Sequence, residues 1–192
     1  MTTDTKIIIF IGRPGSGKGT QAKMLAEYLK RPFFSSGGHF KELIDAKGPL
    51  SEPIRKDYEH GQLSPDWLAA YFFEQAILDG AHESGMVCEG FPRSLPQAHL
   101  ADEIFTWLGQ SYKVIYLAVS EESALDRQLS RAKVESRPDS DAVDKVRTRF
   151  GVYRARTEPV VDFFKQKGVL IEINGEHTPE VISTEIHTAL GV

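Results

Sequence analysis

Between Ile7 and Leu25 the sequence reads IIIFIGRPGSGKGTQAKML. An apolar run passes into four glycines grouped around one lysine, and helix-forming residues follow. The run Ile7–Ile11 predicts a buried strand, and Ala22, Leu25, Ala26 and Leu29 predict one face of the helix after it. Glycines let the backbone pass close to a ligand in conformations that other residues resist. Successive N–H groups then turn inward on an anion. The helix start adds unpaired donors and the positive end of its dipole. The spacing Gly12-x-x-x-x-Gly17-Lys18 meets the phosphate-loop pattern in the strand–loop–helix context that gives the pattern meaning. Gly12, Pro14, Gly15, Ser16, Gly17, Lys18, Gly19 and Thr20 are therefore assigned to phosphate, with the Lys18 ammonium on the outer groups. A hydroxyl usually follows the lysine; here Gly19 does, and the hydroxyl comes one place later on Thr20.

The rest of the chain repeats the alternation. Phe33–Ser35, Met86–Glu89, Lys113–Val119 and Val169–Ile173 read as further strands. Phe40, Leu43 and Ile44 predict a short helix stopped near Gly48-Pro49, and Ser51 can cap the next, which Gly61 can end. Ser64-Pro65-Asp66 reads as a capping hydroxyl, a proline at the first helical position and an acid in the first turn, before a helix burying Leu68, Phe72 and Ala76. Ser120 can cap a helix carrying Leu125 and Leu129. A long helix runs from about Asp141 through Val146, Phe150 and Tyr153 until Pro159 kinks or breaks it. Thr178-Pro179 opens a last helix with Val181, Ile182, Ile186 and Leu190 inward. Strands alternating with helices imply a mostly parallel sheet between helical layers, with ligands beyond the carboxyl ends of its strands, where Gly12, Glu89 and Ser120 fall.

Composition narrows the partners. A chain of 192 residues holds one well-buried core, and its formal net charge of −4 argues against nucleic acid or an anionic membrane as partner. The longest clean apolar run, Ile7–Ile11, is too short to span a bilayer and lacks the flanks of a signal peptide. With Cys88 as its single cysteine the chain can form no internal disulfide, and the reading is a reducing, cytoplasmic setting. Basic charge is nonetheless concentrated: Arg127–Arg156 holds nine Lys/Arg against four Asp/Glu, and seven of the eleven arginines. Phosphoryl transfer asks a protein mainly for positioning and charge neutralisation, which such a cluster supplies. Arg147 and Arg154 read as an ordinary solvated face.

GRPGSGKGTQ is more specific than a phosphate loop, and it resembles the nucleoside monophosphate kinases, closest to the adenylate kinases of short-lid form. QLSPDWL from Gln62, EGFPRSLPQA from Glu89, VIYLAVSEESALDRQLSR from Val114, RFGVYRARTEPVVDFF from Arg149 and KGVLIEING from Lys167 are similar to that family's segments, in its order. The resemblance implies an α/β, P-loop NTPase-like three-layer fold with a five-stranded parallel sheet. It implies one kinase domain over 1–192: a core of 1–35, 67–126 and 141–192, an acceptor-binding insert of about 36–66, and a short lid of about 127–140. The implied activity moves the γ-phosphoryl of Mg-ATP onto AMP, giving two ADP, in a monomer whose partners are small nucleotides. By the same resemblance Arg127 and Arg137 grip the donor, Arg131 and Arg149 neutralise the transferring group, and Arg93 holds the acceptor phosphate together with Lys41. Lys18, Arg93, Arg131 and Arg149 are then the catalytic set. Ser36, Lys41, Gly90, Arg93, Gln97 and Arg149 contact the acceptor, Gln97 facing adenine, and Glu89 orients hydrated Mg²⁺ through water.

The acceptor segment departs from the family. It reads SSGGHFK, Ser35 to Lys41, where STGDLLR is typical. Ser36 keeps a hydroxyl in place of threonine. Gly38 replaces an aspartate associated with the metal, and Lys41 replaces an arginine, losing the planar two-pronged geometry. Glu89 is one methylene longer than the usual aspartate. Two other readings therefore stand beside the AMP kinase: a UMP/CMP kinase, and a nucleotide-binding module that transfers poorly.

Overall fold

Alternation along the first strand divides the core. In the computed structural model, which describes residues 5–80, 83–135 and 140–192, β1 (Ile7–Ile11) is buried at every position. Ile7, Ile9 and Ile11 face one side, among Phe73, Phe91, Phe105, Val160 and Phe164. Ile8 and Phe10 face the other, among Ala22, Leu25, Ala26, Ile182 and Ile186. Each such side chain contributes about 1.5–3 kcal/mol on leaving water. A continuous apolar run is what a central parallel strand covered on both faces requires.

The sheet has five strands, all parallel, in the order β2-β3-β1-β4-β5. β2 is Phe33–Ser35, β3 Met86–Glu89, β4 Tyr112–Ala118 and β5 Leu170–Asn174. On one face lie α4 (Asp66–Leu78), α5 (Leu95–Trp107) and α8 (Glu158–Gln166); on the other lie α1 (Lys18–Leu29) and α9 (Pro179–Leu190). Between β2 and α4 the chain forms α2 (Ser36–Asp45) and α3 (Ser51–Glu59). α6 (Glu121–Glu135) and α7 (Val143–Val152) pack over a small third cluster of Ala124, Val146 and Phe150. The middle of the expected lid, including Arg137, lies outside the described residues. No described helix is long and apolar enough to cross a membrane.

Several local expectations need correction. Pro65, with ψ 140°, takes the flanking position of α4, and Ser64 makes no cap bond there. The row facing the core is Ala69, Phe73 and Ile77, with Leu68 also buried; Phe72 is only partly buried and its ring stacks on His39 at 4.9 Å. Ser51 opens α3 from within, its hydroxyl donating to the Ile44 carbonyl. Val181 is 44% exposed, while Ile182 and Ile186 are buried. Pro159 breaks nothing. A π-turn over Tyr153–Thr157 joins α7 to α8 and places Pro159 in the first turn of α8, where its missing N–H costs no helical bond. Ser120 caps α6 as read, its hydroxyl accepting the Ser123 N–H at 3.1 Å.

Candidate active site

The carboxyl ends of β1, β2 and β3 meet side by side: Phe10 is in register with Glu89, and Glu89 with Ser35. Beyond β1 the chain turns through Gly15 (φ 92°) and Gly17 (φ 87°), left-handed conformations that favour glycine. A Cβ on Gly12 would lie 2.6 Å from the Ser16 hydroxyl, and one on Gly15 would lie 2.5 Å from the Ala124 carbonyl. The loop therefore closes only with glycine at these positions. Ser16 is fully buried and its hydroxyl has no protein partner, which suits it to an arriving phosphate oxygen. Gly17 is the flanking residue of α1 and gives the helix no side-chain cap, so the first-turn N–H groups stay open to a ligand.

Lys18 begins α1, and its ammonium lies 3.4 Å from the Arg13 carbonyl. Burial lowers its pKa from 10.5 to about 8. Glu89 acts against that shift, and the guanidinium groups of Arg93, Arg149 and Arg131 add to it. The fold thus draws four cations from separate stretches of sequence together, with the Glu89 carboxylate beside Lys18. That imbalance is unfavourable in an empty site and favourable to a polyanion.

Glu89 ends β3 and accepts a hydrogen bond from the Ser35 hydroxyl at 3.1 Å. The same Ser35 oxygen accepts the Gly38 N–H at 3.3 Å, capping α2. Gly38, whose aspartate counterpart is missing, thus contributes a backbone donor that holds the Glu89 support. Among the described residues no group of three or more His, Cys, Asp or Glu is placed to hold a metal ion. A single oxygen ligand nevertheless fits Mg²⁺, which keeps several waters and binds through one or two carboxylates plus substrate phosphates. Ser36 donates to the Gly90 carbonyl at 2.6 Å. Gly90 (φ 81°) is held to glycine by that neighbour, since a Cβ would lie 2.5 Å from the Ser36 hydroxyl and 3.0 Å from the Arg93 guanidinium. Lys41 is exposed on α2.

Arg93 follows the cis Phe91-Pro92 bond. Its N–H donates to Gln97 Oε1 at 2.7 Å, and its carbonyl accepts the Thr157 hydroxyl at 2.9 Å. Gln97 is 4% exposed, and its Nε2 donates to Asp66 at 3.0 Å. Arg149 donates to Gln128 at 2.7 Å and to Ser140 at 2.6 Å, which aims it from α7 across the start of the site. Arg154 pairs with the half-exposed Glu121 and is itself half-exposed, consistent with a solvated role.

Arg127 stands apart from this cluster. It donates to the Gly175 carbonyl at 2.8 Å and lies 3.7 Å from Glu176. Glu176 in turn accepts the Ser120 N–H, which, with the Ser123 and Ser120 hydroxyls, lowers its pKa to about 2. Beside Arg127, Ser16, Gly17, Thr20, Gln21, His177, Pro179 and Ile182 enclose a cavity of about 210 Å³. Sequence reading missed the Gln21, His177 and Pro179 part of this wall. The one local signal was the Asn174-Gly175 turn at the carboxyl end of β5.

A glycine loop presenting an ammonium at a helix start, faced by guanidinium groups across the carboxyl ends of a parallel sheet, defines a P-loop phosphotransferase. The family model described as adenylate kinase matches residues 10–169, and the chain belongs to that family. It is 36% identical over 186 residues to an adenylate kinase of Thermus thermophilus, covering 96% of this chain and 97% of that one. It is 32% identical over 185 residues to adenylate kinase 1 of a Nostoc species, covering 96% and 98%. An adenylate kinase of a Cyanothece species is 33% identical over 180 residues, 93% of this chain and 92% of the relative.

Proposed function

We propose that this chain transfers the γ-phosphoryl of Mg-ATP to AMP, forming two ADP, as its adenylate kinase relatives are named for doing. The observation that carries the reading is the convergence of Arg93, Arg131 and Arg149 on the Lys18 ammonium, with Glu89 acting against them there. The loop N–H groups, the Ser16 hydroxyl and Lys18 hold the donor's phosphates. The donor base and ribose enter the cavity beside Arg127. Arg131 and Arg149 neutralise charge on the group in transit, where preorganised cations act most strongly. Arg93 and Lys41 take the acceptor phosphate, and Gln97 reads its base. When Mg²⁺ binds with the nucleotide, Glu89 and Ser35 would hold its water shell on the protein side, and the ion would neutralise part of the phosphate charge. The acceptor's attacking phosphate oxygen is already ionised near neutral pH, so no general base is needed. We place the core, the insert (about 36–66) and the lid (about 127–140) as read from the sequence, and we infer a monomer working in the cytoplasm.

The test is a turnover panel with ATP and AMP, UMP, CMP, GMP or dTMP, run on the parent enzyme and on Lys18→Met. AMP is expected to give the highest kcat/KM, and the variant to lose about 10²-fold or more in kcat, the cost of one preorganised transition-state donor. A preference for UMP or CMP would shift the reading to a pyrimidine kinase. ATP affinity without ADP formation from ATP plus AMP would shift it to a binding module.

A further inference from the structure

Asp66 is the first residue of α4, and its carboxylate faces the start of α5. It accepts three hydrogen bonds: from the Ser94 hydroxyl at 2.9 Å, Gln97 Nε2 at 3.0 Å and the Arg156 guanidinium at 2.8 Å. Two of these donors are taken from ordinary duties. Ser94 flanks α5 yet makes no side-chain cap bond to its own helix, forgoing about 1 kcal/mol of helix stabilisation. Arg156 sits in the π-turn Tyr153–Thr157, whose extra residue per turn sends Arg156 to Asp66 and Thr157 to the Arg93 carbonyl. Two elements far apart in sequence are thus bent toward one carboxylate next to Gln97.

The consequence lies in the Gln97 amide. An ionised carboxylate only accepts, so the atom facing Asp66 must be Nε2. The Arg93 N–H only donates, so the atom facing it must be Oε1. A flipped amide would put two acceptors together at Asp66 and two donors together at Arg93. The amide orientation is therefore fixed from both sides, and one N–H and one lone pair remain for a ligand. Adenine offers an amino donor beside a ring-nitrogen acceptor. Hypoxanthine, with a keto oxygen and a protonated ring nitrogen, offers the reverse order.

The geometry points to Asp66 as the positioning residue that sets acceptor-base selectivity: it locks the Gln97 amide in the orientation that suits an aminopurine and opposes a ketopurine. This rests on the reading that Gln97 faces the acceptor base. Asp66 itself touches no reacting atom. Its carboxylate lies at the start of α4, where the helix dipole favours negative charge, and it stays in place without contributing to transfer.

The experiment compares kcat/KM for AMP and for inosine monophosphate, with ATP as donor and at high enzyme concentration. Asp66→Asn gives Gln97 a neighbour that can both donate and accept, so of the two contacts that oppose a flipped amide only the Arg93 N–H remains. The AMP-to-IMP ratio should fall about tenfold, the discrimination that one mispaired buried hydrogen bond supplies, while KM for ATP stays unchanged. Asp66→Glu, which keeps an acceptor-only group, should recover part of the ratio. If AMP and IMP rates fall together in Asp66→Asn, the residue is a structural bracket between α4 and α5 and the proposal is overturned. Should Asp66→Asn not fold, Arg156→Gln leaves the carboxylate but loosens it; an unchanged ratio there also overturns the proposal. Gln97→Leu separates the two layers. If it moves the ratio and neither Asp66 nor Arg156 does, positioning fails and the base-facing reading stands; if it leaves the ratio unchanged, the base-facing reading fails first.

Discussion

Lys18 shows how function and stability pull against each other at a single position. Burial, and then the three guanidinium groups around its ammonium, lower its pKa to about 8, with Glu89 acting against them. The unfolded chain then binds more protons than the folded one between about pH 8 and 10.5, so stability rises with pH through that window and the full cost is present below it. Lys18→Met removes the cost and keeps the stem. The nucleotide-free variant should gain about 1–2 kcal/mol near pH 7, discounted for the part of the side chain that water reaches. Thermal melts at pH 7 and pH 10 check it: Tm should rise by a few degrees at pH 7, with a smaller gain at pH 10, while turnover is lost. A lower Tm at pH 7 would mean that Lys18 supports the loop rather than straining it. The place of Lys18 was read from the strand–loop–helix pattern, and Glu89 and Arg93 were picked out by the resemblance of EGFPRSLPQA to the family's segment. The engagement of Gln97 with Asp66 was not legible, because it joins residues 31 apart through a helix packing that no local pattern encodes.

At the scale of elements, the joint between α3 and α4 bears on the site. Gly61 has φ 68°, is buried, and lies so close to α7 that a Cβ would meet Arg149 Cγ at 2.7 Å and the Lys145 carbonyl at 3.3 Å. The sequence showed a glycine ending a helix. It could not show that the glycine's missing side chain is where the insert presses on Arg149. Gly61→Ala should therefore lower kcat by about tenfold or more, because small displacements of a positioned group are costly in rate. KM for ATP should change little. Steady-state kinetics decide it, and an unchanged kcat would make Gly61 a helix terminator only. The elements themselves were read well where the hydrophobic pattern was unambiguous, as in β1 and α1, or where a capping hydroxyl agreed with it, as in α6. They were misread where the helical phase was one residue off, as with Phe72 for Phe73, or where the apolar face was drawn one residue too wide, as with Val181 beside Ile182. A phase error of that size is set by which neighbour a helix meets, and the insert that claims Phe72 is a tertiary fact.

Over the whole molecule the charges are distributed against the average. The chain carries a formal net charge of −4, yet Arg93, Arg131 and Arg149 come from the β3–α5 loop, α6 and α7 to meet Lys18 at the start of α1. Sequence alone revealed the excess of arginine in Arg127–Arg156 but not its direction, since helix faces point where packing sends them. Cations held together by the fold repel, and a bound polyanion converts that repulsion into attraction between the segments that carry them. Inorganic triphosphate, which carries charge but no base, isolates this term. At a concentration a hundredfold above its dissociation constant it should add about 2.7 kcal/mol of stability, or roughly 5–10 °C in Tm for a chain of this length. Sodium chloride at equal ionic strength should do far less, because screening weakens the repulsion without bridging the groups. A Lys18→Met/Arg131→Met variant should start from a higher Tm and lose most of the triphosphate gain. Equal shifts from triphosphate and chloride in the parent protein would mean that the four cations do not act on a common anion, and the phosphate path from loop to lid would have to be redrawn.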